Sequence, residues 1–527
     1  MDNKNNTEHT LQKWNNFKIR VIFEGIAIGI ITGLLIVAYR FAVDIAIGFT
    51  GKAYDFLRIN KAYIPFWFIF LALLGIIVGY LVKKEPMISG SGIPQVEGVL
   101  LRKLDMNWLK VVVYKFFGGF LGLAAGLSLG REGPSIQMGA AIGQGYSRIT
   151  KRPKIEEKFL ITSGASAGLA AAFNAPLAGV MFSLEEVHKN FSPVVLTTAL
   201  AASVTADFVT KNFFGLKPIF NLNVTQAIPL IDYPYLIVLG VLIGIAGVVF
   251  NKGLLKTQEI YEKQKFIPKR FWPIIPFLTA GVLAFILPEV LGGGHELIIS
   301  LSEAGKYSIL ALVVIVVVKY LFTILSYGSS APGGIFLPLL VIGAIIGAIY
   351  GLVITKYFGV DKIYLINIII ISMAAYFAAI VKAPITGMVL LTEMTGSFNH
   401  LLSIAFVSII AYVITDLLGS KPIYESLLER LLSKGTNKFH GDSKNKVIIE
   451  IPVCMGSKLQ FKKLSEVKWP KHCLIVSLKR GEREIIPKGS TSMYAGDYLI
   501  VLANEDESAI IYDRLTSFAE EGDYNNI

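Results

Sequence analysis

The chain has 527 residues, of which 54% are hydrophobic and only 17% are charged. Soluble domains carry about 25% charged residues, so this composition excludes an ordinary soluble protein and indicates a membrane protein. The net charge is +12. We attribute this charge to membrane topology and to attraction by anionic lipid rather than to nucleic-acid binding.

Apolar stretches of membrane-spanning length recur between Val21 and Gly419. A helix needs about 20 apolar residues to cross a bilayer, and some stretches reach this length while others are short or broken by glycine. Short or broken spans are expected where helices end inside the membrane and line a cavity. The polar, charged start of the chain predicts no cleavable signal peptide. Examples of the apolar stretches are residues 64–82, 108–126, 235–250, 309–325, 335–354 and 401–418.

The composition changes from apolar to polar near Lys421, and this change divides the chain. We predict a cytoplasmic segment at residues 1–20, a transmembrane domain at 21–432, a polar linker at 433–445 and a cytoplasmic domain at 446–527. Basic clusters near the span ends place both termini in the cytoplasm and predict an even number of spans. In the last domain the pattern predicts strands at 447–453, 474–478 and 498–502, a short helix at 461–467 and a closing helix at 505–515.

The two cysteines of the chain, Cys454 and Cys473, both lie in this C-terminal domain. We expect free thiols rather than a disulfide, since the domain is predicted to be cytoplasmic. The two cysteines form no metal-binding pattern, and no convincing catalytic triad or phosphate-binding loop occurs elsewhere. The sequence therefore predicts neither an enzyme nor a protein with a metal or another cofactor.

The transmembrane domain contains an internal repeat. The pattern A-P-x-x-G followed by glutamate occurs at residues 175–185 and again at 383–393. The pattern G-x-x-x-P with two later glycines begins at Gly130 and again at Gly334, and the glycine motif at 90–92 has a counterpart at 292–294. Three correspondences in one order, at nearly one offset, predict a duplicated unit with halves at about 21–215 and 230–432. Duplicated membrane units often enclose their substrate between the two halves.

Three glycine-proline motifs interrupt the apolar surroundings, at residues 90–94 (G-S-G-I-P), 130–134 (G-R-E-G-P) and 334–338 (G-I-F-L-P). Each precedes a helix-compatible run, so each presents the free amides of a helix N-terminus, which attract anions. An anion in hydrocarbon costs on the order of 20 kcal/mol, so protein groups must replace its water. The Ser91 hydroxyl and the amides of Ile335 and Phe336 are suited to this role. The alternative is that these glycines only permit close helix packing; three motifs at duplicated positions favour the anion site.

Glutamates occur at two places where a charge inside a membrane is costly. Glu132 lies inside an anion-attracting turn, so its carboxylate can occupy the anion site until protonation neutralises it; alternatively the helix dipole alone accounts for it. Glu185 and Glu186 follow an apolar run, and either residue could relay protons. Because Glu185 has a repeat partner in Glu393, we assign a structural role to Glu185 and the proton role to Glu186. Arg131 is more typical of an ion-pair partner than of an anion ligand.

On these motifs the chain resembles the CLC family of chloride channels and chloride/proton antiporters. The resemblance covers about residues 25–432. It rests on residues 90–97 (G-S-G-I-P-Q-V-E), 130–134, 171–186 (A-A-F-N-A-P-L-A-G-V-M-F-S-L-E-E), 333–338 (G-G-I-F-L-P) and 421–424 (K-P-I-Y).

The resemblance implies an all-α polytopic fold of two inverted repeats with broken helices, and a homodimer with one anion path per subunit. Ser91 and Tyr424 match the hydroxyl ligands of the family's central chloride, and Ile335 and Phe336 match its amide ligands. Glu132 matches the gating glutamate that also handles the external proton. Glu186 matches the antiporters' internal proton glutamate, whose presence favours exchange over passive conduction. The intact motifs argue against fluoride, and alanine is common in relatives where Leu337 stands here.

The C-terminal domain is similar to the RCK-C (TrkA-C-like) subdomain of potassium-transport regulators, an α+β module. The similarity rests on strand order and on residues 496–502 (G-D-Y-L-I-V-L). It implies dimerisation and suggests a bacterial cell-membrane protein regulated by cyclic di-AMP; the alternative is an appendage that stabilises a dimer.

The sequence thus predicts a proton-coupled chloride antiporter. A passive voltage- or ligand-gated chloride channel, and a receptor without transport, remain as alternatives.

Overall fold

The structure is a computed structural model of the chain. It describes residues 2–189, 191–220, 222, 226–303, 306–434, 446–481, 483–504 and 508–520, with the backbone alone for residues 2–17, 155, 434, 447, 504, 508–510, 513 and 520. The chain divides into two compact units, Met1–Lys434 and Gly435–Ile527. Residues 435–445 of the predicted linker lie outside the described residues.

The first unit is helical, and its first half contains α1–α8. A π-helical turn, Ser183–His188, follows α7 directly. Asn107 begins α4 as its N-cap, and its side chain accepts a hydrogen bond from the Lys110 amide, as short polar side chains do at helix starts. The helices are α1 Asp2–Ile59, α2 Ile64–Lys84, α3 Ile93–Leu100, α4 Trp108–Ala124, α5 Glu132–Ile149, α6 Lys154–Phe173, α7 Pro176–Phe182 and α8 Pro193–Phe214.

The second half repeats this order with α9–α16 and adds α17. Ser308 begins α12 as Asn107 begins α4, by accepting a hydrogen bond from the Ala311 amide. The predicted span at 235–250 belongs to a longer helix, α9, because helix-forming polar residues continue it. The helices are α9 Tyr233–Lys263, α10 Ile274–Ile286, α11 His295–Leu301, α12 Ile309–Gly328, α13 Phe336–Phe358, α14 Leu365–Val381, α15 Pro384–Thr395, α16 Leu401–Leu417 and α17 Ile423–Lys434.

Eight helices among the described residues are long and apolar enough to cross a membrane by length and composition. Their burial differs widely: 78% of the apolar window that includes α14 is buried, against 22% for the window that includes α2. Helices buried by their neighbours form the centre of a bundle, while helices that are apolar yet exposed face lipid. The first unit is therefore an all-α, multi-pass membrane domain, as the sequence predicts.

Glycines allow the central helices to approach each other closely. A methyl group added to Gly139 in α5 would overlap the carbonyl of Gly164 in α6, and one added to Gly143 would overlap the carbonyl of Leu160. In the second half, a methyl group on Gly343 would lie 2.9 Å from the Ser372 carbonyl oxygen of α14. Gly139, Gly143 and Gly343, which follow the glycine-proline motifs in each repeat, thus serve close helix packing.

Two buried lysines show that the halves are structurally equivalent. The Lys115 ammonium in α4 donates to the carbonyls of Ile88 and Gly90, at 2.8 and 2.7 Å. The Lys319 ammonium in α12 donates to Val290 and Gly292, at 2.9 and 2.7 Å. These four carbonyls end the chain segments that lead into α3 and α11, and the two lysines are 204 residues apart. Each half therefore fixes the approach to its short broken helix in the same way.

The second unit contains a four-stranded antiparallel sheet of order β1-β4-β2-β3, with α18 packed against β1 and β4. Its core contains Ile449, Ile451, Leu499, Val501 and Leu515. The α+β prediction is confirmed, but the predicted helix at 461–467 is wrong. Only Leu464–Glu466 forms a 3₁₀ turn, because the chain reverses at a left-handed Phe461 with φ 63°. The elements are β1 Lys446–Pro452, β2 Cys473–Arg480, β3 Arg483–Ile485, which the sequence did not predict, β4 Asp497–Asn504 and α18 Ser508–Glu520.

Candidate anion and proton site

The three glycine-proline motifs meet at one junction. Gly130 and Gly334 form an antiparallel bridge in which each amide donates to the other's carbonyl, at 2.7 and 2.8 Å. The Gly333 amide donates to the Gly90 carbonyl at 2.9 Å, which joins the remaining motif. Gly130 and Gly334 occupy equivalent positions in the two repeats. Two halves related by a two-fold axis would form such a reciprocal pair of hydrogen bonds. The starts of α3, α5 and α13 consequently converge.

Small residues are required at this junction. A methyl group on Gly133 would lie 2.9 Å from the Ser91 Cβ and 3.0 Å from the Gly334 Cα. Gly92, with φ 88°, lies in the left-handed region and begins α3. The motif glycines therefore both bring the backbones together and expose the first amides of three helices.

The two predicted hydroxyl groups are fully buried. The Ser91 Oγ lies 3.3 Å from the Tyr327 hydroxyl and accepts a 3.4 Å hydrogen bond from the Ile93 amide. The Tyr424 hydroxyl has no hydrogen-bonding partner among the described residues. A buried hydroxyl without a partner costs about 1–3 kcal/mol, so this group is suited to donate to a ligand.

The predicted amide ligands begin α13. Ile335 is its N-cap and Phe336 its first residue, and both are fully buried. The first amides of a helix have no partner within the helix. The Phe336 ring packs against Phe377 with centroids 4.5 Å apart and against Phe182 at 5.7 Å. Phe182 also contacts the ring of Tyr424, with centroids 6.3 Å apart, which links the start of α13 to α17.

Glu132 is the first residue of α5, and its side chain is fully buried. Its carboxylate folds back against Gly130, where an added methyl group would collide with Oε2. Neither carboxylate oxygen makes a hydrogen bond of normal geometry within the described residues, but the amides of Glu132 and Leu337 interact with it. The carboxylate therefore lies at the junction of the motifs. Arg131 forms its ion pair with Asp44, at 3.2 Å, rather than with Glu132.

Glu185 and Glu393 cap each other's half of the membrane domain. The Glu185 carboxylate accepts hydrogen bonds from the Ile385 and Thr386 amides at the start of α15, at 3.2 and 2.8 Å. The Glu393 carboxylate accepts from the Leu177 and Ala178 amides at the start of α7, at 3.1 and 2.8 Å. Carboxylates stabilise helix N-termini because they satisfy free amides and face the positive end of the dipole.

Glu186 differs from its neighbour. Its side chain is buried in the π-helical turn, and Oε1 has no hydrogen-bonding partner among the described residues. Lys189, Glu97 and Glu425 act on it electrostatically. Glu186 thus retains a free carboxylate oxygen, whereas both oxygens of Glu185 are engaged.

Comparison with known proteins identifies the family. The family model described as voltage gated chloride channel matches residues 74–416, which is more than half of the chain. The chain belongs to the CLC family. A TrkA-C domain model matches residues 448–516, so the C-terminal unit is a TrkA-C domain.

Relatives of known function and structure agree with this family. The chain is 33% identical over 427 residues to the H(+)/Cl(-) exchange transporter ClcA of Citrobacter koseri, covering 79% of this chain and 89% of that protein. The crystal structure of a slow cyanobacterial Cl-/H+ antiporter has a TM-score of 0.74 at 32% identity and covers 79% of this chain and 98% of that chain. A CLC-type fluoride/proton antiporter has a TM-score of 0.65 at 24% identity, covers 77% of this chain and 97% of that chain, and shows the fold alone.

The structure brings together most of the residues that the sequence predicted. Ser91, Glu132, Ile335 and Phe336 all belong to the joined helix starts, and Tyr424 reaches them through the aromatic contacts. Glu186 lies elsewhere, beside Glu97 and Lys189. Within the described part of the chain, no group of three or more histidines, cysteines or acids could hold a metal ion.

Sequence reasoning missed Tyr327, Lys115 and Lys319. Nothing in the spacing shows that Tyr327 reaches Ser91 from the other half of the repeat. The lysines did carry a signal, since each is an isolated charge in an apolar span and the two recur at the repeat offset.

Proposed function

We propose that this chain exchanges chloride for protons across a bacterial cell membrane. The observation that carries the proposal is the buried Glu132 carboxylate at the junction of three helix starts, where an anion would be stabilised. The names of the relatives support it, because both the Citrobacter protein and the cyanobacterial protein are described as chloride/proton exchangers.

In this proposal chloride and the Glu132 carboxylate compete for one site. The hydroxyls of Ser91 and Tyr424 and the amides of Ile335 and Phe336 replace the water of the ion. These donors carry no full positive charge, so the ion binds but can also leave. When a proton neutralises Glu132, its side chain no longer occupies the site and chloride can enter. When Glu132 ionises again, it releases the proton and displaces the ion.

Glu186 is proposed to supply protons to this cycle from the cytoplasmic side. Its free Oε1 and its burial support the assignment, as does the engagement of Glu185 elsewhere. Basic residues at the span ends support cytoplasmic termini. We also propose a homodimer with one anion path per subunit.

Proton flux and chloride flux measured in the same reconstituted vesicles test the exchange. We expect a chloride gradient to drive protons uphill. Glu132→Ala should abolish the proton flux but leave anion passage, and Glu186→Ala should abolish proton movement while slower chloride flux persists. Full proton coupling in the Glu132→Ala variant would contradict the assignment, and a protein without any flux would favour a receptor.

A passive voltage- or ligand-gated chloride channel is the second candidate, because the family description itself names voltage gated channels. In a channel Glu132 would gate the path without carrying protons. Rapid chloride flux without uphill proton movement in the wild-type protein would select this candidate.

The TrkA-C domain is proposed to regulate transport by binding cyclic di-AMP, with residues 433–445 as the linker and 446–527 as the regulatory domain. The domain match supports a regulatory role. Calorimetric titration of the full chain with cyclic di-AMP tests this, with cyclic di-GMP as the control nucleotide and a chain ending at Lys434 as the control protein. Equal heats for both nucleotides, or binding that survives the truncation, would contradict it.

A further inference from the structure

Four charged side chains form a cluster beside Glu186. Glu97 lies on α3, Glu186 and Lys189 lie in and just after the π-helical turn that follows α7, and Glu425 lies on α17. The Lys189 ammonium is 2.7 Å from the Glu97 carboxylate and 3.9 Å from that of Glu425. Lys189 therefore joins the two acids, and both of them act electrostatically on Glu186.

The cluster extends from an exposed end to a buried end. The side chains of Lys189 and Glu425 are 39% and 41% exposed, whereas that of Glu97 is only 4% exposed. Glu186 is as deeply buried as Glu97. Charged groups exposed to this degree on a membrane protein meet water or lipid headgroups rather than hydrocarbon. Glu425 can therefore exchange protons with water at the exposed end of the cluster, and the buried acids lie at its other end.

The buried acids have free oxygens that can accept such a proton. Glu97 Oε2 and Glu186 Oε1 are both without a hydrogen-bonding partner in the described residues. Lys189 is the lysine that pairs with the acids of the cluster in the described residues, and a buried carboxylate oxygen without a partner is costly, so these oxygens are suited to bind a proton. Two further lysines lie nearby: Lys103 acts on Glu97, and Lys421 acts on Glu425 while it pairs with Glu429. Both oxygens of the neighbouring Glu185 are engaged, and His188 is bonded to Thr162.

The backbone holds Lys189 at this position. Lys189 ends the π-helical turn in the left-handed region, with φ 54°, which is uncommon for a residue other than glycine. Such turns inside helical segments are frequent at functional sites. The two helices joined through Lys189 also adjoin proposed chloride ligands: Ser91 lies two residues before the start of α3, and Tyr424 is the neighbour of Glu425 on α17. The cluster thus connects the elements that hold the anion.

We propose that Glu425, Lys189 and Glu97 form the entry through which protons reach Glu186. This inference rests on the proposed exchange function. A proton from water binds the Glu425 carboxylate, passes to Glu97 and then to Oε1 of Glu186, and each donor carboxylate returns to its ionised form. Lys189 keeps its own protons: it is a positioning residue that holds Glu97 and Glu425 together and offsets one negative charge.

Glu425→Gln tests the entry with little risk to folding, because Glu425 is half-exposed. In vesicles that report both fluxes, we expect Glu425→Gln and Glu97→Gln to slow the proton flux at least about tenfold while chloride flux remains, since positioned acid groups contribute about 10²–10⁴-fold to proton transfer. Lys189→Met should slow protons and shift the pH profile of the proton flux, and Lys189→Arg should restore both. Lys256→Met is the control, because it removes the exposed Lys256–Glu259 pair on α9, which lies outside the cluster.

The outcomes separate this inference from the proposed function. If Glu425→Gln transports protons as fast as the wild-type protein, the entry route is overturned. It is also overturned if Glu425→Gln and Lys189→Met slow chloride flux as much as they slow proton flux. If Glu97→Gln does not fold, Glu425→Gln decides. Absence of uphill proton movement in the wild-type protein instead refutes the exchange function itself.

Discussion

Replacing Glu185 by alanine should destabilise the membrane domain without removing proton coupling. The Glu185 carboxylate accepts three hydrogen bonds from the start of α15: from the Ile385 amide at 3.2 Å, the Thr386 amide at 2.8 Å and the Thr386 hydroxyl at 2.7 Å. A hydrogen bond to a charged group contributes about 1.5–3 kcal/mol. Water reaches the partly exposed start of α15 and replaces some of these hydrogen bonds in the variant. We therefore expect the free energy of unfolding to fall by about 2–4 kcal/mol.

Glu393→Ala is the matched variant, because Glu393 caps α7 in the same way but accepts two hydrogen bonds within the described residues. We expect a smaller loss of about 1–3 kcal/mol for this variant. Glu185→Gln, which keeps one acceptor oxygen but no charge, should fall between wild type and Glu185→Ala. Thermal unfolding of the purified protein in detergent, followed by tryptophan fluorescence, measures the order of the midpoints.

The proton flux of the same variants in vesicles completes the test. Both alanine variants should keep a wild-type ratio of protons to chloride, even where the amount of folded protein falls. If Glu185→Ala kept its unfolding midpoint but lost proton flux, Glu185 rather than Glu186 would be the proton-carrying acid. The assignment of a capping role from the reciprocal contacts would then be refuted.

Three further predictions concern packing, buried charge and a thiol. Gly139→Val should lower the free energy of unfolding by about 1–3 kcal/mol or more, because the new side chain would overlap the carbonyl of Gly164. Gly48→Val is the control: open space surrounds Gly48, so the unfolding midpoint should stay nearly unchanged. Lys319→Met should lower the midpoint more than Lys319→Arg does, because methionine leaves two carbonyls without the donor that lies 2.9 and 2.7 Å from them; equal midpoints would contradict this. Burial raises the pKa of the Cys473 thiol, so less thiolate forms at neutral pH, and maleimide labelling of Cys473 should be slow at pH 7, accelerate as the pH rises and become fast in urea; equal rates in folded and unfolded protein would refute it.

The sequence by itself determined the class of the protein and the local positions of its motifs. The hydropathy predicted a multi-pass membrane domain because apolar side chains and hydrogen-bonded helices are the arrangement that a bilayer tolerates. Glycine followed by proline predicted the starts of α3, α5 and α13, since these residues act on the backbone close to their own positions. The repeat offset identified Glu185 and Glu393 as equivalent. The repeat offset does not reveal that each of these two glutamates caps a helix of the other half.

Tertiary structure decided which distant groups meet. The bridge between Gly130 and Gly334, and the caps that Glu185 and Glu393 exchange between the halves, join residues about 200 positions apart, and no local propensity encodes such contacts. The same holds for Tyr327 beside Ser91. It also holds for Lys189, whose contact with Glu97 depends on a π-helical turn and a left-handed backbone that the sequence pattern does not reveal. Packing between elements supplies these contacts because it, rather than spacing along the chain, sets the distances between side chains.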